Sequence, residues 1–138
     1  MSIDEIRKKI FELGSIINLE KGNQLYPIIS DKANVSSDGT TIYIADSKYH
    51  YVNMERGQVR KHIESKNVED ILYQIFNSIT FSIACDYELK NRKENEDFRR
   101  ILWNKQLELL NKINKEYAKI RKNEIEQILE ISPFKDNK

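Results

Sequence analysis

Three β-favouring runs, each separated from the next by only three residues, constrain this chain more than any other feature. Thr40 to Ala45 is rich in β-branched and aromatic side chains. Tyr49 to Met54 sets Tyr49, Tyr51 and Asn53 against His50, Val52 and Met54, and Gln58 to Ile63 sets Val59, Lys61 and Ile63 against Gln58, Arg60 and His62. Alternation with a period of two is the strand pattern. The connectors Asp46-Ser47-Lys48 and Glu55-Arg56-Gly57 are short and turn-forming, so neighbouring strands must return antiparallel. The spacing therefore predicts a three-stranded meander over 40–45, 49–54 and 58–63.

Helical periodicity brackets this meander. Ser2 followed by Glu5 is a capping-box pattern, and Ile3, Ile6, Ile10, Leu13 and Ile17 repeat at helical spacing, predicting a helix over 3–20. Gly22 and Pro27 bracket an irregular connector, and the polar run 30–39 reads as a loop. After the meander, Asn67, Asn95 and Asn114 can each cap a helix, predicting spans of 67–92, 95–111 and 114–131, the last ending before Pro133. The expected class is α+β: an N-terminal helix, the meander, then three helices packed as a bundle. No linker divides it, so 1–138 reads as a single domain of 138 residues.

Charge restricts the partners. Lys plus Arg number 23 and Asp plus Glu 22, a formal net charge of +1, so no global field draws the chain to nucleic acid or to a membrane. The distribution is uneven: residues 65–98 carry four positive and seven negative side chains, and residues 99–138 carry ten and six. Solvated or mutually attracting helix faces are the bland explanation. An acidic patch over 69–97 that meets a basic partner is the sharper one. The one cysteine, Cys85, rules out an internal disulfide and suits a reducing compartment. Its place inside a helix makes an inert thiol the default. With no signal-peptide core at the start and no apolar run of membrane-spanning length, the expected location is cytoplasmic.

Two polar side chains fall where the helix from Asn95 should be apolar. At about 100° per residue, Arg99 and Gln106 project into an arc that includes Leu102, Leu109, Leu110 and Ile113. An unpaired guanidinium there would be costly. Asp86, in the apolar stripe of the preceding helix, or Glu88 can pair with Arg99, so Asp86, Arg99 and Gln106 read as a structural polar network. Glu88 and Arg92, four residues apart in the favourable order, form an intrahelical ion pair or part of a binding surface.

Catalytic chemistry finds little support. His50 and His62 lie on adjacent strands and could act as an acid–base pair, as in a small nuclease, but strand histidines more often serve as surface or cross-strand partners. No His/Cys/Asp cluster has metal-ligand spacing in the sequence, and the four glycines form no phosphate loop. No cofactor is expected. Tyr49, His50 and Tyr51 interleaved with Lys48, Arg56, Arg60 and Lys61 could stack single-stranded nucleic acid, as an RNA- or DNA-binding adaptor would. The near-neutral charge argues against that. The same tyrosines and arginines equally suit a protein interface.

Ordered anchors along the chain resemble one family. They are Tyr49-His50-Tyr51-Val52 with Glu55-Arg56-Gly57; Asp70-Ile71-Leu72-Tyr73 with Ile79-Thr80-Phe81-Ser82; Tyr87-Glu88-Leu89-Lys90 with Arg92 and Asp97-Phe98-Arg99-Arg100; and Lys105-Gln106-Leu107-Glu108-Leu109-Leu110. Together with Glu124-Ile125 and Pro133-Phe134, this order resembles the immunity protein 63 family of polymorphic-toxin systems over about residues 49–134. Where that family has an Asn-Pro-Glu-Trp-like cap, this chain has Asn114-Lys115-Glu116-Tyr117, and residues 1–45 match nothing in it. The resemblance implies a bacterial, cytoplasmic, non-enzymatic protein that binds and neutralises the C-terminal domain of a cognate toxin. A nuclease toxin, with its basic cleft, would suit the acidic patch, and a homodimer is compatible with the same reading. On that implication Tyr49, Tyr51, Glu55 and Arg56 form an aromatic and charged edge, and Asp70, Glu88, Arg92 and Asp97 add charged contacts.

Overall fold

The computed structural model describes residues 1–33 and 37–137. Its elements run α1 (Ile3–Ile16), β1 (Ile28–Ile29), β2 (Gly39–Ala45), β3 (Lys48–Glu55), β4 (Gln58–Ser65), α2 (Val68–Lys90), α3 (Phe98–Ile113) and α4 (Lys115–Ile131). The class is α+β, as expected, but the sheet has four strands in the order β1-β2-β3-β4. The added strand, β1, pairs in parallel with β2 through Ile28 and Ile29. Two residues directly after Pro27 are too few to show a period, so this strand has no sequence signature. The polar loop expected over 30–39 includes 34–36, which lie outside the described residues. Among the described residues, no helix is long and apolar enough to cross a membrane.

The chain divides into two compact units, Met1–Ile75 and Phe76–Lys138, with the junction inside α2. In the first unit, the capping box closes as predicted: Glu5 N donates to Ser2 Oγ, and Ser2 N donates to the Glu5 carboxylate. Ile6 and Ile10 are fully buried on the inner stripe of α1. α1 stops at Ile16 rather than at 20, because Ile17 and Leu19 turn their backbone amides onto the Gly14 carbonyl. Both hairpins turn through two residues with positive φ, Asp46–Ser47 (52° and 61°) and Arg56–Gly57 (53° and 74°), the turn twist that matches antiparallel strands.

One irregularity sets which residues share a face. Met54 lies opposite Val59 and Asn53 opposite Lys61, so Arg60 has no opposite number and the ladder bulges there. Continued without the bulge from the Glu55–Gln58 pair, His62 would face Tyr51. With it, His62 lies opposite Val52 and Glu64 opposite His50. His50, His62 and Glu64 therefore share one face of the sheet, because opposite residues point to the same side.

In the second unit, Ala84, Leu102, Trp103 and Ile125 form a buried cluster against which Leu107, Leu129 and Phe134 pack. α3 and α4 are joined by a single residue, Asn114. Its backbone N–H closes α3 on the Leu110 carbonyl at 2.8 Å, and its side chain accepts from Glu116 N at 2.9 Å to start α4. α3 begins at Phe98 with Asp97 as its cap, not at Asn95, which adopts a left-handed φ of 65°.

Gln106 is fully buried in this unit. Its amide nitrogen donates to the Asn77 carbonyl at 3.0 Å and to Asn77 Oδ1 at 2.9 Å. Its amide oxygen accepts from Arg121 Nε at 3.0 Å. One side chain on α3 thus joins α2 to α4. Of the network predicted for Asp86, Arg99 and Gln106, the structure keeps Gln106 inside but gives it these partners. Asp86 is instead exposed, paired with Lys90 at 3.0 Å, because the buried face of this half of α2 runs through Thr80, Ala84 and Glu88, on the opposite side of the helix from Asp86.

Two substitutions test this packing. Gln106→Leu removes the hydrogen bonds to Asn77 and from Arg121 Nε and should cost about 1–3 kcal/mol in urea unfolding. Gly14→Ala should also destabilise, although helix propensity alone favours Ala by about 1 kcal/mol. A Cβ there would overlap the phenol of Tyr26, whose hydroxyl donates to the Leu19 carbonyl at 2.6 Å.

Candidate functional site

The sheet order leaves β4 with a neighbour on one side only. Six of its eight residues are exposed, with Ile63 and Ser65 half-buried. Val59 is 58% exposed. At the tip of the β3–β4 hairpin, the Asp38 carboxylate accepts from Arg56 N at 3.1 Å and from Gly57 N at 3.0 Å, which pins the turn. Glu55 and Arg60 project from it and pair loosely at 3.5 Å. This hairpin is a firm, charged, outward-facing surface with an open strand edge, the geometry that accepts a protein partner.

The predicted contact residues divide between surface and interior. Glu55, Arg56 and Asp70 are exposed. Asp70 accepts from Ser65 Oγ at 2.7 Å and so also helps start α2. Tyr49 is half-buried, and its hydroxyl accepts from the amino group of Met1 at 2.6 Å. Tyr51 lies opposite Ile42 and is 4% exposed, so it supports the sheet from inside and forms no outer edge. In the second unit, Glu88 is 2% exposed and accepts from Arg92 Nη2 at 2.7 Å and Nε at 3.0 Å. Only the Arg92 end of that pair reaches solvent. These hydrogen bonds hold the Glu88 carboxyl below its ordinary range. Burial, assisted by Glu88, pushes the Cys85 thiol up, as an inert helical cysteine requires.

Asp97 and Arg99 form a clamp rather than a free acidic contact. Asp97 is buried and accepts from the Arg99 guanidinium at 2.9 Å and from Lys135 N at 2.9 Å. Arg99 in turn donates to the carbonyls of Ser132 and Pro133, both at 3.0 Å. Asp136 adds a second strut, accepting from Asp97 N at 2.7 Å and from Arg100 Nη2 at 2.8 Å, while Arg100 stacks 3.9 Å from the Phe134 ring centre. The predicted partner of Arg99 was Asp86 or Glu88. The actual one is two residues before it, because the same carboxylate that caps α3 also receives the guanidinium. The acidic patch read over 69–97 therefore consists largely of locally committed carboxylates.

The two histidines meet. His50 Nδ1 lies 2.9 Å from His62 Nε2, and His50 Nε2 lies 3.1 Å from the Ala45 carbonyl. Direct contact leaves no room between the rings for a phosphodiester, as a nuclease acid–base pair would need. Glu64 joins them, its Oε2 3.8 Å from His50 Nδ1. Among the described residues, His50, His62 and Glu64 form a group able to converge on a cation. Sequence reasoning missed it because the grouping depends on the bulge at Arg60, which flips the register of β4.

The clamp predicts acid sensitivity. Hydrogen bonds from Arg99 hold the Asp97 carboxyl well below its ordinary value, and those from Arg100 lower that of Asp136. A carboxyl lowered by folding stabilises above its unfolded pKa of about 4 and loses that contribution as pH falls further. Asp97→Asn should lower stability at pH 7 and flatten the acid limb of a stability profile measured by urea unfolding from pH 7 to 2.5.

The comparisons converge with the residue anchors. No curated protein and no solved structure matches the chain. The family model described as Immunity protein 63 matches residues 45–127, which span β3, β4, α2, α3 and most of α4. With more than half of its length matched in that order, the chain belongs to the immunity protein 63 family.

Proposed function

We propose that this immunity protein neutralises a cognate polymorphic-toxin domain in the cytoplasm of the producing bacterium by binding it, using the β3–β4 hairpin and the free edge of β4. The observation that carries the reading is that this hairpin combines an open strand edge with a tip pinned by Asp38, inside the family match. An edge strand supplies main-chain donors and acceptors to a partner, and a pinned turn loses little freedom on binding. Glu55, Arg56 and Arg60 would set charge complementarity, with Asp70 nearby in sequence at the start of α2. Inhibition then needs no catalysis by this chain. The family match runs through residue 75, where the two units join, which supports reading 1–138 as one immunity domain.

The test is a binding titration with the toxin domain encoded beside this gene. Glu55→Lys and Arg56→Glu should each weaken binding by roughly ten-fold or more, about 1.4 kcal/mol, and reduce protection of cells expressing the toxin. Their melting temperatures should stay close to that of the parent, since both side chains are exposed. Unchanged affinity in both variants would remove the hairpin from the interface.

A further inference from the structure

We propose that His50, His62 and Glu64 form a binding site for a zinc-class divalent metal ion on one face of the β3–β4 hairpin. The site stands apart from the toxin-binding reading and rests on the arrangement of donors alone.

Three features support it. The donors are of the right kind: two imidazole nitrogens and a carboxylate oxygen, all within 4.8 Å of one another. This set suits Zn²⁺ and its neighbours rather than Mg²⁺ or Ca²⁺, which favour all-oxygen shells. Next, His50 is oriented as metal-bound histidines are. Its Nε2 lies 3.1 Å from the Ala45 carbonyl, which fixes the proton on Nε2 and leaves the Nδ1 lone pair facing His62. A carbonyl holding the far ring nitrogen in this way is the usual outer partner of a liganding imidazole. Finally, the His50 ring is held in place. It stacks on Tyr43 with centroids 4.7 Å apart and planes 7° from parallel, and only 7% of its side chain is exposed.

The fit needs small movements from exposed partners only. Donors about 2.0–2.1 Å from a tetrahedral zinc lie about 3.3 Å apart. The imidazole nitrogens, at 2.9 Å, would open slightly, and Glu64 Oε2, at 3.8 Å from His50 Nδ1, would close. His62 and Glu64 are exposed on an edge strand and can make that adjustment, while His50 stays fixed. Lys48 Nζ, 3.3 Å from Glu64 Oε1, holds the other carboxylate oxygen and leaves Oε2 for the ion. Three protein donors leave a fourth position open to water.

The test is calorimetric titration of the untagged full-length chain with Zn²⁺ in excess Mg²⁺, paired with thermal unfolding with and without Zn²⁺. The expected result is one equivalent bound and a raised melting temperature. Binding should weaken at least ten-fold in both His62→Ala and Glu64→Gln, whose exposed positions should leave the far-ultraviolet circular dichroism unchanged. Cys85→Ser should keep full affinity. No binding by the parent, binding that survives either His62→Ala or Glu64→Gln, or binding lost in Cys85→Ser would each overturn the site.

Discussion

Inside the second unit, three helices meet around an amide with no access to water. A buried amide must find both a carbonyl-type acceptor and a donor or forfeit its hydration. Gln106 satisfies this by donating to Asn77 on α2 and accepting from Arg121 on α4. Each of these bonds is short-ranged and directional, so it restricts the rotation of α2 and α4 about α3 in a way that contacts among Leu102, Trp103 and Ile125 do not. Apolar packing supplies most of the stabilisation, and the amide selects one arrangement among those that packing would allow.

The Asp97–Arg99 clamp solves a similar problem at the end of the bundle. Residues 132–137 have no helix of their own after Ile131, so their backbone groups need partners from elsewhere. Arg99 takes the carbonyls of Ser132 and Pro133, and Asp97 takes the amide of Lys135. Phe134 is thereby laid against Trp103, with ring centres 5.9 Å apart. The segment after α4 is tied against the buried cluster because a capping carboxylate still has acceptor capacity after it has started its helix.

Much of this was legible in the residues. The meander, the capping box of α1, the Asn114 junction and the end of α4 before Pro133 each rest on interactions between near neighbours, and local pattern predicts those well. The misses share a different cause. Asn95 and Asp97 are both good caps, and the choice between them is made by Lys135 and Asp136 from nearly forty positions away. β1 exists only because β2 offers it an edge. Tyr51 reads as a surface anchor on one strand but is enclosed once Ile42 and Ile63 flank it. Asp97 reads as a free acidic contact, yet it is buried with Arg99, whereas the Glu88–Arg92 pair legible from its spacing forms but is buried at its Glu88 end. Of the candidate site, the charged hairpin tip was legible. The histidine–glutamate grouping was not, since one unmatched residue decides it.

That unmatched residue, Arg60, also separates the hairpin into two parts with different obligations. Residues 61–65 must keep Ile63 toward the interior and so are locked to β3 in a single frame. Residues 55–59 lie beyond the interruption, where the frame no longer reaches the core. A bulge absorbs odd and even counts alike, so the tip can be lengthened, shortened or rewritten without turning the inner strand over. The hairpin is thus a tip that can change in length on a stem whose facing is fixed.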